Sequence, residues 1–152
     1  MNRKITPNFR ELEFEVTSTG ITNKLPKMYE INRYVLASQL QRLRDLVGKP
    51  IQINSAYRSY EVNKAVGGAN QSRHLYCLAA DIVCPSVPLH KLLGLILSDN
   101  IGFSKILVEP TWLHVEVDYV NLSMNSLWSP VIVEFDEVKY CVSSDNQVKV
   151  MF

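Results

Sequence analysis

From Pro26 onward the apolar positions recur at threes and fours: Met28, Ile31, Tyr34, Val35, Leu40, Leu43 and Leu46. That spacing predicts one long helix over 27–47, with Arg and Lys on its wet face, stopped by Gly48 and Pro50. Alternation then takes over in "IQINSAYRS", which reads as a strand ending near Ser55. "SYEVNKAVGG" offers a serine cap, a short helix and two glycines to close it. A loop, "ANQSRH", leads into the apolar run "LAADIVC", a buried strand. In "PSVPLHKLLGLILSDN" a proline stands at the first turn of a helix with core-facing leucines. "FSKILVE" and "WLHVEVDY" read as two strands joined by a tight turn at Pro110 and Thr111. Near the N-terminus "LEFEV" alternates like a short edge strand, and the tail pairs "VIVEFDEVKYCVSS" with "QVKVMF" as a hairpin. Helices and mostly antiparallel strands in this order predict an α+β fold.

Side chains alternate across a strand, so each strand sorts its residues onto two faces. In 112–118, Leu113, Val115 and Val117 belong to the core face, and Trp112, His114, Glu116 and Asp118 to the other. In 79–84, Ala80, Ile82 and Cys84 form the apolar set, opposite Ala79, Asp81 and Val83. In 105–109, Ile106 and Val108 point one way, and Lys105, Leu107 and Glu109 the other. If these strands are neighbours, Asp81, His114 and Glu109 can share one side of the sheet without a register slip. His74, in the loop entering the middle strand, can fold over that surface. Two imidazoles and a carboxylate are a donor set that zinc accepts, and one Asp against a dication leaves a +1 centre with room for water. Taken singly, each residue has a plainer reading. Asp81 suits a turn cap or a pair with Arg58, His114 a hydrogen-bonded half-buried ring, and Glu109 a wet hairpin end. Trp112 and Tyr57 suit packing as well as a cleft, and His90 falls on the solvent side of its helix.

Composition narrows the partners. With 152 residues the chain is read as a single domain, 1–152, large enough for a core without staples. A net charge of +1 leaves no electrostatic footprint for nucleic acid or anionic lipid. No apolar run reaches membrane-span length, and no apolar stretch follows the basic residues at the N-terminus. The expectation is therefore cytoplasmic synthesis without a signal peptide, with release by other means if the protein acts outside. Three cysteines without framework spacing read as reduced thiols.

"SAYRS", "SRHLYCLAAD" and "WLH", in that order, resemble the zinc D,D- and L,D-peptidases of the M15 type, bacterial and phage enzymes that cut peptidoglycan peptides. Their signature is Ser-x-His-x-x-Gly-x-Ala-x-Asp, followed some tens of residues later by an aromatic-x-His. Ser72, His74, Ala79, Asp81, Trp112 and His114 stand at matching places. "SAYRSYEVNKAVGG" is similar to the phage-type subgroup. The match covers residues 27–118, a peptidase-like core, and leaves 119–152 as a C-terminal β-hairpin extension. The resemblance implies an α+β fold of the D-Ala-D-Ala carboxypeptidase/Hedgehog-like kind, a mostly antiparallel sheet with helices on one face and a metal cleft. It further implies Zn2+ held by His74, Asp81 and His114, and peptidoglycan peptides as the substrate. Arg58 would hold the carbonyl oxygen as charge develops there, while Ser72 and Trp112 would help bind substrate. A carboxypeptidase or endopeptidase of a phage lysis or tail apparatus fits this description.

Two departures stand out. Where the family has Gly, this chain has Cys77, followed by Leu78 in place of a frequent charge. Either Cys77 adopts a backbone conformation that glycine favours, or its thiolate joins the metal through the spacing His74-x-x-Cys77. The family's acid stands three to six residues before the last His. Thr111 occupies the third position and cannot take a proton from water, so the base falls to Glu109, five before His114. The alternative is a catalytically degenerate member that keeps the metal scaffold as a cell-wall or protein binding module.

Overall fold

The computed structural model describes residues 2–99, 101–118, 131–142 and 148–151, the last few by backbone alone. Among the described residues there are three α-helices: α1 (Glu30–Val47), α2 (Tyr60–Ala65) and α3 (Leu89–Ser98). Seven strands form one sheet: β1 (Gln52–Ser55), β2 (Ala79–Val83), β3 (Phe103–Val108), β4 (Leu113–Val117), β5 (Val131–Phe135), β6 (Val138–Val142) and β7 (Val148–Met151). Their order is β1-β2-β4-β3-β5-β6-β7, and every neighbouring pair is antiparallel except β3 with β5. This is the expected α+β fold with a mostly antiparallel sheet. β4 already has β2 on one edge and β3 on the other, and β5 joins the outer edge of β3, running parallel to it.

The core lies between the sheet and the α1/α3 layer. Leu36, Leu40 and Leu43 of α1 and Leu92 and Ile96 of α3 meet Ala80, Ile82, Ile106, Leu113, Val115 and Val117 of the strands. Each fully buried leucine or isoleucine contributes roughly 1.5–3 kcal/mol by leaving water. The face assignments for β2 and β4 hold. Leu113, Val115 and Val117 are buried on the core side, and β2 brings Ala80 and Ile82 to the same side.

Four expectations need correction. "LEFEV" is a 3-10 turn, Glu11–Glu15, not a strand. Only Phe14 of its apolar residues is buried, edge-on to Phe9 at 6.3 Å between ring centroids, while Leu12 is exposed. The Glu13 carboxylate accepts from the Arg10 N–H at 3.0 Å, which closes the turn locally. The long helix starts at Glu30, because 27–29 form a 3-10 turn behind Pro26. Of the expected stripe, Leu40 and Leu43 are buried and Val35 and Leu46 pack against the core, but its N-terminal part is not buried. Met28, Ile31 and Tyr34 are exposed, and Asn32, Arg33 and Gln39 are buried with Leu36. Arg33 is not on the wet face, since it pairs with Glu30 at 3.2 Å and Glu11 at 3.5 Å. Finally, "VIVEFDEVKYCVSS" folds back on itself. Asp136 and Glu137 both take positive φ, 51° and 64°, as a two-residue hairpin turn of the I′ kind requires. Asp-Glu is a poor advertisement for such a turn, so the tail forms three strands rather than two. Residues 119–130 and 143–147, which the expected C-terminal extension includes, lie outside the described residues.

Candidate metal centre

The segment carrying Arg58 follows β1. Asn23, buried in the irregular segment ahead of Pro26, ties it down: its amide donates to the carbonyls of Glu15 (3.1 Å) and Tyr57 (2.9 Å), and its oxygen accepts from the Ser59 N–H at 2.8 Å. Ser59 then caps α2, its hydroxyl accepting from the Val62 N–H at 3.2 Å. The Arg58 N–H donates to the His74 carbonyl at 2.9 Å, so this segment and the histidine loop are stitched together by backbone.

The histidine loop is a 3-10 turn, Arg73–Tyr76, capped by the Ser72 hydroxyl accepting from the His74 N–H at 3.2 Å. It ends at Cys77, whose φ of 58° is left-handed. Of the two readings of Cys77, this is the first: the chain makes the turn that glycine favours, with a side chain in place. The thiol is buried in the core with Leu78 and stands outside the three-residue group described below. Burial pushes it up to about 12, so it is a neutral thiol at ordinary pH.

From Cys77 the chain enters β2, which pairs with β4 so that Asp81 lies opposite His114. His74, Asp81 and His114 each offer one ligand atom, and these atoms all lie within 4.8 Å of one another. His114 Nδ1 is 3.0 Å from Asp81 Oδ1 and 3.2 Å from His74 Nε2, and His74 Nε2 is 3.3 Å from the same carboxylate oxygen. The far nitrogens are occupied. His74 Nδ1 lies 2.6 Å from the Ala56 carbonyl, and His114 Nε2 lies 3.1 Å from Glu116 Oε2. A carbonyl only accepts, so Nδ1 of His74 carries a proton and its Nε2 is free to offer a lone pair inward. Two imidazole nitrogens and a carboxylate oxygen converge with their outer positions already bonded. This donor set fits zinc, whose His ligands characteristically donate the other ring N–H to a carbonyl or carboxylate.

Without a metal the same atoms form an ion cluster. Burial alone would raise Asp81, but hydrogen bonds from His114 and His74 hold its carboxyl well below the usual range. Burial would lower His114, yet hydrogen bonds to Asp81 and Glu116 raise it to about 9. Glu116 is likewise lowered against the effect of burial, by the His114 hydrogen bond and by Lys105 and Arg73 nearby. Arg58 closes the cluster on its other side. Its Nη2 donates to Asp81 Oδ2 at 3.1 Å, Nε to Ser55 Oγ at 3.0 Å, and Nη1 to Asn63 Oδ1 at 3.4 Å.

The structure thus brings together His74, Asp81, His114 and Arg58, and gives Ser72 a capping bond to the loop. Trp112 stands just before β4, half-buried. Glu109 is placed at the β3–β4 hairpin end, its N–H donating to the Trp112 carbonyl at 3.0 Å around Pro110 and Thr111. It borders a cavity lined by Leu89 and His90 of α3 and by the β5–β6 turn. Among the described residues, no hydrogen bond or ion pair joins its side chain to the cluster. Sequence reasoning missed Glu116 as a partner of His114 and Asn23 as the brace of the arginine segment. The i, i+2 spacing of His114 and Glu116 on one strand face was a visible signal for the first. Asn23, distant in sequence from everything it holds, left none.

Comparison with known proteins agrees with this geometry. The family described as Peptidase M15 matches residues 7–116. The zinc D-Ala-D-Ala carboxypeptidase of Streptomyces albus G is 40% identical over 77 residues, 50% of this chain. The matched segment spans 29% of that protein's length.

Proposed function

This chain belongs to the M15 peptidase family, and we propose that it is a zinc-dependent peptidase hydrolysing peptide bonds of peptidoglycan, of D-Ala-D-Ala carboxypeptidase or endopeptidase type. The observation that carries the reading is the convergence of His74 Nε2, Asp81 Oδ1 and His114 Nδ1 with their outer atoms already bonded. These three residues would hold the zinc. When bound there it supplies a Lewis acid for the peptide carbonyl and lowers the pKa of water.

The chain's own groups supply the rest. Arg58 spends three of its five N–H donors on Ser55, Asn63 and Asp81, and the remainder can donate to a carbonyl oxygen as negative charge develops. Glu109 is the proton acceptor in this scheme, passing the proton to the leaving amine. Leu107 lies opposite His114, so Glu109, two residues on, is a diagonal neighbour at about 7–8 Å, within reach of a glutamate side chain. Ser72 and Trp112 contribute to substrate binding.

Purified protein is expected to hold about one zinc per chain by elemental analysis. Hydrolysis of muropeptides should stop with a chelator, return with zinc, and fall by about 10²-fold or more in Glu109→Gln. Turnover that persists in the stripped protein overturns the reading. A second reading is favoured by one observation, the absence of a described bond between Glu109 and the cluster: a metal-binding module that recognises the cell wall without cutting it. Stoichiometric zinc with no turnover on any peptidoglycan preparation selects it.

A further inference from the structure

We propose that Glu116 is a positioning residue: it holds the His114 ring so that Nδ1, and not Nε2, faces Asp81 and His74. The inference rests on the three-residue metal centre of the proposed function and assigns a task to a carboxylate outside it.

An imidazole on a strand can present either nitrogen to a site, by ring rotation, and its tautomer follows the partner of the other nitrogen. For His74 the partner is the Ala56 carbonyl, which belongs to the backbone. For His114 it is a side chain, Glu116 Oε2 at 3.1 Å, two residues along the same face of β4. An ionised carboxylate accepts and cannot donate. Nε2 of His114 must then carry a proton, and Nδ1 is the atom turned to the cluster.

Glu116 is itself held. It stands opposite Lys105 in the β3–β4 register. Arg73 reaches it from the histidine loop, with Nε 3.6 Å from Glu116 Oε1 and Nη2 donating to the Val117 carbonyl at 2.7 Å. That Nε is buried and, among the described residues, has no hydrogen-bond partner. Its nearest use is the Glu116 charge. Arg73 precedes His74 in the chain, so one guanidinium ties the loop bearing the first histidine to the strand bearing the second. The carboxylate on His114 is therefore fixed by both halves of the centre, and a loose ring would cost metal affinity through misdirected lone pairs.

The test uses the full chain labelled with 15N at histidine, metal-free and zinc-loaded, with wild type, Glu116→Ala and Glu116→Gln. A slowly exchanging Nε2–H resonance of His114 is expected in wild type in both states, lost in Glu116→Ala, and kept in Glu116→Gln, whose amide oxygen still accepts. Zinc affinity by chelator competition should weaken by about 10–100-fold in Glu116→Ala and by far less in Glu116→Gln. A purely structural role would lower thermal stability without moving the coordinating nitrogen. A wild-type His114 that shows no protected Nε2–H, or a Glu116→Ala protein with unchanged resonance and affinity, overturns the proposal. If wild type takes up no zinc while the resonance pattern behaves as expected, the metal reading fails and the positioning role stands.

Discussion

Raising the pH of the metal-free protein from 6.0 to 8.5 should destabilise it, and the amount follows from His114. Its imidazolium is held between Asp81 and Glu116 and raised to about 9, against about 6.5 for a free side chain. The native state thus binds the proton more tightly than the unfolded chain. A raised folded value means the stabilisation is fully present below pH 6.5 and is lost as pH climbs through 9. Integrating over one site, the protonated ring contributes about 3 kcal/mol at pH 6.0 and under about 1 kcal/mol at pH 8.5. The expected loss is about 2 kcal/mol, on a ring that is only 15% exposed. The Cys77 thiol, raised to about 12, adds to the loss only from about pH 8.5, the ordinary thiol value, at the end of the window. Urea unfolding in the presence of a chelator at half-unit pH steps measures it directly. With zinc bound the slope should vanish or reverse, since metal takes the place of the proton and competes better as pH rises. A metal-free unfolding free energy that stays flat from 6.0 to 8.5 would refute the ion-cluster argument.

Two further predictions concern the scaffold that presents the site. Cys77→Gly should change unfolding free energy by no more than about 1 kcal/mol, because relief of the left-handed strain offsets the lost burial and the added chain entropy. Cys77→Val, β-branched at φ 58° in a filled core, should cost several times that in the same urea assay. Asn23→Ala should cost about 2–4 kcal/mol by leaving the Glu15 and Tyr57 carbonyls and the Ser59 N–H without their partner. Its zinc affinity should fall much less than in any ligand variant, because Asn23 braces the Arg58 segment rather than the ligands.

The alternation of β2 and β4 put Asp81 and His114 each opposite its strand's core set, so that once the two strands pair they share one face. Local chemistry also made the Ser59 cap, the helix stop at Gly48 and the β3–β4 turn readable, because each depends on residues a few positions apart. The ordered pair "SRHLYCLAAD" and "WLH" carried the family resemblance for the same reason, its spacing being a local property of one loop and two strands.

Other features needed the folded chain. How much of the α1 stripe is buried depends on how the helix meets the sheet: Leu40 and Leu43 are buried as the periodicity suggested, but Ile31 and Tyr34 are exposed and Arg33 is buried and paired. That β5 lies beside β3 and not beside β4 reflects both edges of β4 being taken, a fact about neighbours that no segment contains. The sequence by itself determined which residue types reach the metal-facing side and in what order along the strands. Only the tertiary structure decided which nitrogen of each histidine turns inward, because that choice belongs to the Ala56 carbonyl, the Glu116 carboxylate and the arginine behind it.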